Sequence, residues 1–169
     1  MRIDDNQKRE LEELYAYFLN NPKIQKMKEV SMHRGSNTYL HSFKVAKLAV
    51  KRGLRHKNVD LKAILIASIL HDYYLYDWRV QREMKKDHGK AHPYIAAKNA
   101  EIDFKINEKI SKIIKSHMWP INIKEFPDSK EARIVNFADD HVALFEALSW
   151  RKFKKRKEEK YYKKITKLF

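Results

Sequence analysis

Apolar residues recur at spacings of three and four through DDNQKRELEELYAYFLN, where Leu11, Leu14, Tyr15 and Phe18 share one face. That period predicts an amphipathic helix, capped by Asp4 or Asp5. Asn20, Asn21 and Pro22 close it, and Pro22 can open a short second helix. HRGSN reads as a loop. In TYLHSFKVAKLAVKRG, His41, Val45, Leu48 and Ala49 line one face, and Gly53 is the predicted stop. VDLKAILIASILHD predicts a buried helix that starts near Asp60. KKDHGKAHP reads as a second loop, with Pro93 opening the next helix and His92 at or near its N-cap. INEKISKIIKSH carries Ile106, Ile110, Ile113, Ile114 and His117 on one stripe. PDSKEARIVNFADDHVALFEALSWRKF predicts a long helix. No segment alternates as a strand would, and no repeat is present, so the predicted class is all-α.

The 169 residues suit one domain with one core, and glycine and proline are scarce. No apolar run approaches the ~18 residues of a membrane span. MRIDDNQKRE has no apolar stretch and does not read as a signal peptide. The absence of cysteine removes disulfides and thiolate ligands and fits a cytoplasmic location. The net charge of +15 is uneven. Residues 151–169 hold ten Lys or Arg against two Glu, which predicts either a solvated basic helix over about 150–169 or attraction to phosphates and nucleic acid. Within it Trp150, Phe153, Tyr161, Ile165 and Leu168 could pack on the domain. The oligomeric state is left open.

Polar residues interrupt the apolar faces in one recurring way. AILIASILHDYYLYDWR runs from eight apolar or small residues into His71 and Asp72. His41 continues the Val45 face, His117 extends the isoleucine stripe, and Asp139 shares a face with Ala132, Val135, Val142 and Ala143. A single histidine of this kind is usually a satisfied core residue. Several that converge with carboxylates suggest a divalent cation, which neutralises the acids and occupies the imidazole lone pairs together.

The order His41, His71-Asp72, Asp139, in the contexts YLHSFKVAKLA, ILIASILHD and IVNFADDHVAL, resembles the HD superfamily of metal-dependent phosphohydrolases over about residues 30–146. The resemblance implies an HD-domain, phosphodiesterase-like helical bundle. It implies that His41, His71, Asp72 and Asp139 hold one ion, that Asp72 bridges, and that His92 and His117 hold a second. HDYYLYDW, HGKAHP and HMWP also resemble a group of small bacterial members. Histidine and carboxylate ligands suit one or two ions of Mn, Fe, Co, Ni or Zn.

The implied activity is hydrolysis of a nucleotide or another small phosphate ester by a metal-activated hydroxide, centred on Asp72 and His71. Arg34, Lys44, Arg79 and Lys115 are candidates to hold the anionic substrate. His33, beside Arg34, could also reach a phosphate. His88 and His56 read as surface residues, Asp140 as a weaker ligand candidate than Asp139, and His141 as pointing elsewhere. Tyr73, Tyr74, Tyr76 and Trp78 either pack the core or stack on a base. Tyr73-Tyr74-Leu75 stands where many phosphodiesterase members continue Ile-Gly-Lys, and no Gly-Tyr-Pro motif occurs, which argues against a cyclic dinucleotide. The Glu-Asp pair of guanosine tetraphosphate hydrolases is absent too. Two alternatives stand beside hydrolysis: a di-iron oxygenase with the same ligand pattern, and a basic nucleic-acid-binding protein with a structural metal site.

Overall fold

A computed structural model describes residues 3–31, 36–77, 88–149 and 162–169. Its helices are α1 Asp5–Asn20, α2 Pro22–Gln25 with a 3-10 turn at Lys26–Lys28, α3 Thr38–Gly53, α4 Leu61–Leu70, α5 His88–Phe104, α6 Glu108–Ser116 and α7 Lys130–Ser149. Among the described residues there is no strand, and the protein is an all-α helical bundle.

Short polar side chains start these helices by taking N–H groups that no helical carbonyl can reach. Asp4 accepts from the Gln7 backbone at 2.7 Å while the Gln7 side chain accepts from Asp4, a complete capping box. Asn37 caps α3 through Leu40 at 2.8 Å, Asp60 caps α4 through Ala63 at 2.9 Å, and Asn107 caps α6 through Ile110 at 3.0 Å.

Helix α4 is the axis of the bundle. Eight of its ten residues are buried, as a helix that is apolar all round requires. Helices α3, α6 and α7 pack against it, and α5 packs mainly on α6. The start of α4 is tied to its neighbours by Lys109, which reaches Asp60 at 3.2 Å and Glu131 at 3.1 Å. The far end of α4 therefore delivers His71 and Asp72 into the middle of the surrounding helices.

Three expectations are revised. Helix α3 does end at Gly53 as expected, but the mechanism differs: no left-handed glycine closes it, and Leu54 follows with φ −58° and ψ −18°. A Cβ at Gly53 would lie 2.7 Å from Leu61 and 3.0 Å from Ile64, so the glycine permits close approach of α3 and α4. Helix α5 begins before Pro93 and His92 is inside it, not its cap. Pro93 is the sixth residue of the helix, just past the first turn, so its missing N–H removes one helical bond, the one to the Gly89 carbonyl. Residues 150–161 lie outside the described residues, so the predicted basic helix is seen only at its end. There a helical turn at 162–164 gives way to non-helical chain at 165–169. Lys47 draws that chain across α3 by donating to the carbonyls of Lys164, at 3.0 Å, and Lys167. Ile165 and Leu168 are buried, and Tyr15 donates to the Ile165 carbonyl at 2.7 Å.

No helix among the described residues is long and apolar enough to cross a membrane.

Candidate metal centre

Helices α3 to α7 each contribute to one buried cluster for a local reason. His41 lies on the apolar face of α3. His71 and Asp72 follow the last turn of α4, His92 lies in α5, His117 follows α6, and Asp139 lies on the inner face of α7. All six are buried, and none is more than 9% exposed.

The four histidines share one orientation. His41 donates its Nδ1–H to Glu146 at 3.0 Å, and His71 donates its Nδ1–H to the Ser68 carbonyl at 2.8 Å. His92 donates to the His88 carbonyl at 2.8 Å, and His117 to the Ile114 carbonyl at 2.7 Å. Each Nδ1 is thus engaged outward, and each Nε2 points into the cluster. Such partners fix ring orientation and leave Nε2 as the donor atom for a cation.

Inside, Nε2 of His41 lies 2.8 Å from Asp139 Oδ1. Nε2 of His71 lies 3.5 Å from both Asp139 Oδ1 and Asp72 Oδ2. The other oxygen of Asp72 faces Nε2 of His92 at 3.4 Å and of His117 at 3.8 Å. Asp72 therefore stands between two groups of imidazoles, one oxygen toward each. Ligand atoms of three overlapping sets, His41/His71/Asp72, His71/His117/Asp139 and Asp72/His92/His117, lie within 4.8 Å of one another.

Whether these residues fit a cation is decided by two local conflicts. His71 Nε2 is fully buried without a hydrogen-bond partner. An unmet buried polar atom costs about 1–3 kcal/mol, whether it carries a proton or a lone pair. Nε2 of His92 and Nε2 of His117 also face each other at 2.9 Å, although both rings already use Nδ1 as donor. Two lone pairs repel at that distance unless a proton or a cation lies between them. A divalent ion of borderline softness resolves both conflicts, and its ligands of choice are imidazole and carboxylate.

The electrostatics agree. Burial opposes the charged form of His41, but its hydrogen bonds to Asp139 and Glu146 outweigh this and push it up to about 10. His71 is raised as well: burial opposes its charge, and Asp72 and Asp139 overcome it. Burial, joined by the charges of His71 and His92, pushes His117 down to about 3. Burial disfavours the charged Asp72 and Asp139, yet the neighbouring histidines hold both below the usual carboxylate range.

The remaining candidates fall outside this cluster. Asp140 is exposed, as is His141, which stacks on Phe137 with ring centroids 5.7 Å apart. His56 is exposed. His88 is not a surface residue: its ring stacks on His92 with centroids 4.6 Å apart, and the Tyr76 hydroxyl lies 2.9 Å from its Nδ1. Tyr73 and Tyr74 are core residues. Lys44 meets Glu146 at 2.6 Å, and Lys115 lies 4.0 Å from Glu101 on α5. His33, Arg34, Trp78 and Arg79 lie outside the described residues.

The residue the sequence reading missed is Glu146. It is seven residues past Asp139 and so on the same face of α7, and its carboxylate spans His41 and Lys44. The heptad spacing was the available signal. Asn136, three residues before Asp139, was missed too; its amide donates to the carbonyls of His117 at 2.7 Å and Trp119 at 2.8 Å, which fixes the end of α6.

No curated protein and no solved structure matches the chain. A family model described as HD domain matches residues 38–144. The match contains all six clustered residues and stops just short of Glu146. With more than half of its length in that match, the chain belongs to the HD-domain family, a superfamily of metal-dependent phosphohydrolases.

Proposed function

We propose that the protein hydrolyses a nucleotide or another small phosphate ester. In this reading His41, His71, Asp72 and Asp139 hold one divalent transition-metal ion, and His92 and His117 hold a second, with Asp72 shared between them. The observation that carries it is the common orientation of four buried imidazoles, each with Nδ1 engaged outward and Nε2 turned toward the two aspartates.

When bound, such ions supply Lewis acidity, which activates water near neutral pH and offsets charge on a phosphoryl group. The chain's own residues do the rest. Asp72 and Asp139 are ionised and give the site its negative charge. The carbonyls of Ser68, His88 and Ile114 hold three imidazoles in the tautomer that leaves Nε2 available, and Glu146 does the same for His41. Asp72, with one oxygen toward each histidine group, is the residue on which the arrangement turns. Lys44, half-buried and three residues from His41, is the described cation best placed to add positive charge near the site.

The test is a screen of phosphomonoesters and nucleotides with Mn, Co, Ni and Zn, run beside Asp72→Ala. Metal-dependent phosphate release that the variant lacks supports the reading. Phosphate release by Asp72→Ala at the wild-type rate, or none by the wild type with any metal, overturns it.

A further inference from the structure

A second concave site lies away from the histidine cluster. A cavity of about 750 Å³ opens between α3, α7 and the C-terminal chain. Its size is within the ~300–1,000 Å³ of small-molecule sites. Val142 on α7 and Ile165 and Leu168 at the C-terminus form a buried apolar floor, with Leu48 on α3 half-buried and Phe145 on α7 exposed at its rim. Its polar lining is mostly cationic: among the described residues Lys44, Lys47, Lys51 and Lys164 line the same cavity, with His141 and the carboxylate of Glu146 beside them.

That combination selects a ligand. A purely apolar molecule would bring no charge to complement the ammonium groups, and a small hydrophilic anion would leave the apolar residues wet. The four lysines exclude a cationic amphiphile. We propose that this cavity binds a long-chain carboxylate, with its alkyl chain among Leu48, Val142, Phe145 and Ile165 and its head group at the lysines. Lys47 adds weight: its ammonium is partly buried, donates to two backbone carbonyls, and is pushed below the ordinary lysine value by burial. A full negative charge beside it supplies what carbonyl dipoles provide only in part.

The proposal does not depend on hydrolysis or on a metal. One link between the sites follows from the contacts: Glu146 pairs with Lys44 in the cavity wall and with His41 in the cluster. A carboxylate bound at Lys44 would share that ammonium with Glu146.

The experiment is titration calorimetry of the full-length chain with dodecanoate, kept below the concentration at which it forms micelles. Dodecyltrimethylammonium and acetate serve as controls. Acetate reports carboxylate binding at the histidine cluster, because it has no chain to bury. The expected result is one equivalent of dodecanoate, with neither control reproducing it. Reversing the two exposed lysines, Lys51→Glu with Lys164→Glu, should weaken binding by about tenfold. Leu48→Trp, which fills the interior, should abolish it. Should Leu48→Trp fail to melt cooperatively, the lysine double variant decides alone, since both positions face solvent. No saturable dodecanoate binding, equal binding of the cationic amphiphile, or unchanged affinity in the lysine double variant overturns the proposal.

Discussion

Metal binding to this cluster should release protons, and the number can be worked out from the structure. In the metal-free protein His41 lies between two carboxylates and is pushed up to about 10, so at pH 7 its Nε2 carries a proton. His71 is raised too and shares the task of neutralising Asp72 and Asp139. His117, pushed down to about 3, is already neutral and has no proton to lose. An ion that takes Nε2 of His41 and His71 must therefore displace up to two protons, because only a deprotonated imidazole is a ligand. For His41 alone, a value of about 10 weakens apparent metal affinity at pH 7 by about a thousandfold, or ~4 kcal/mol. That handicap shrinks tenfold with each pH unit. The apparent Kd for Zn or Mn should thus fall at least tenfold per unit between about pH 6.5 and 8, approaching a hundredfold where His71 also titrates.

The metal-free protein should show the opposite trend in stability. His41 has a folded value above its unfolded 6.5, so its contribution is complete below about 6.5 and is lost as pH rises toward about 10. Asp72 and Asp139 are depressed, so their contribution is present above the ordinary aspartate value and is lost in acid. Calorimetry in buffers of different ionisation enthalpy counts the protons, and thermal melts with chelator follow the stability. Fewer than one proton released at pH 7, or a Kd that does not change with pH, would refute the reasoning, because it would mean that His41 is not displaced from Asp139.

Four further outcomes are expected. Asp72→Ala should lose bound metal altogether, since its two oxygens face both histidine groups; metal analysis at wild-type stoichiometry would end the assignment. His92→Ala and His117→Ala should each leave about one equivalent of metal with sharply reduced activity, and two equivalents with full activity would exclude that residue as a ligand. Glu146→Gln should weaken metal binding by ~10–100-fold when measured above about pH 9, where the proton competes least, and an unchanged Kd there would remove Glu146 from the site. Ile165→Ala should lower unfolding free energy by about 2–4 kcal/mol in urea melts, whereas a stability equal to wild type would make the C-terminal chain an appendage.

Most of the fold was legible because it rests on local signals. The apolar faces of α1, α3 and α6 follow a helical period, and the caps Asp4, Asn37 and Asn107 precede those faces in sequence. The elements read less well are those whose cause is tertiary. Gly53 looks like a helix stop by composition, but its lack of a Cβ serves Leu61 on another helix. Pro93 looks like a helix start, because a sequence shows the missing N–H and not the five helical residues, His88 to His92, that precede it. The C-terminal chain carries helix-forming lysines, yet the burial of Ile165 and Leu168 and the bonds from Lys47 set its path at the end.

The candidate site divides along the same line. His41, His71, Asp72, His117 and Asp139 could be singled out because each places a polar group where its helix should bury an apolar one, a conflict visible in one segment at a time. His92 stood out only through the family resemblance. Glu146 shows the limit of that approach. Its own surroundings in sequence, LFEALS, show an ordinary solvated glutamate. Its spacing of seven from Asp139 places it on the same face of α7, but its partners appear when α3 is laid against α7, for then a half-buried carboxylate meets an imidazole and an ammonium at once. The charge of Glu146 raises His41 in the metal-free state, and its hydrogen bond turns the same ring toward the cluster. One contact thus opposes metal binding through the proton and favours it through orientation. The balance between the two is set by pH, so the effect of removing Glu146 has to be read where the proton has been taken away.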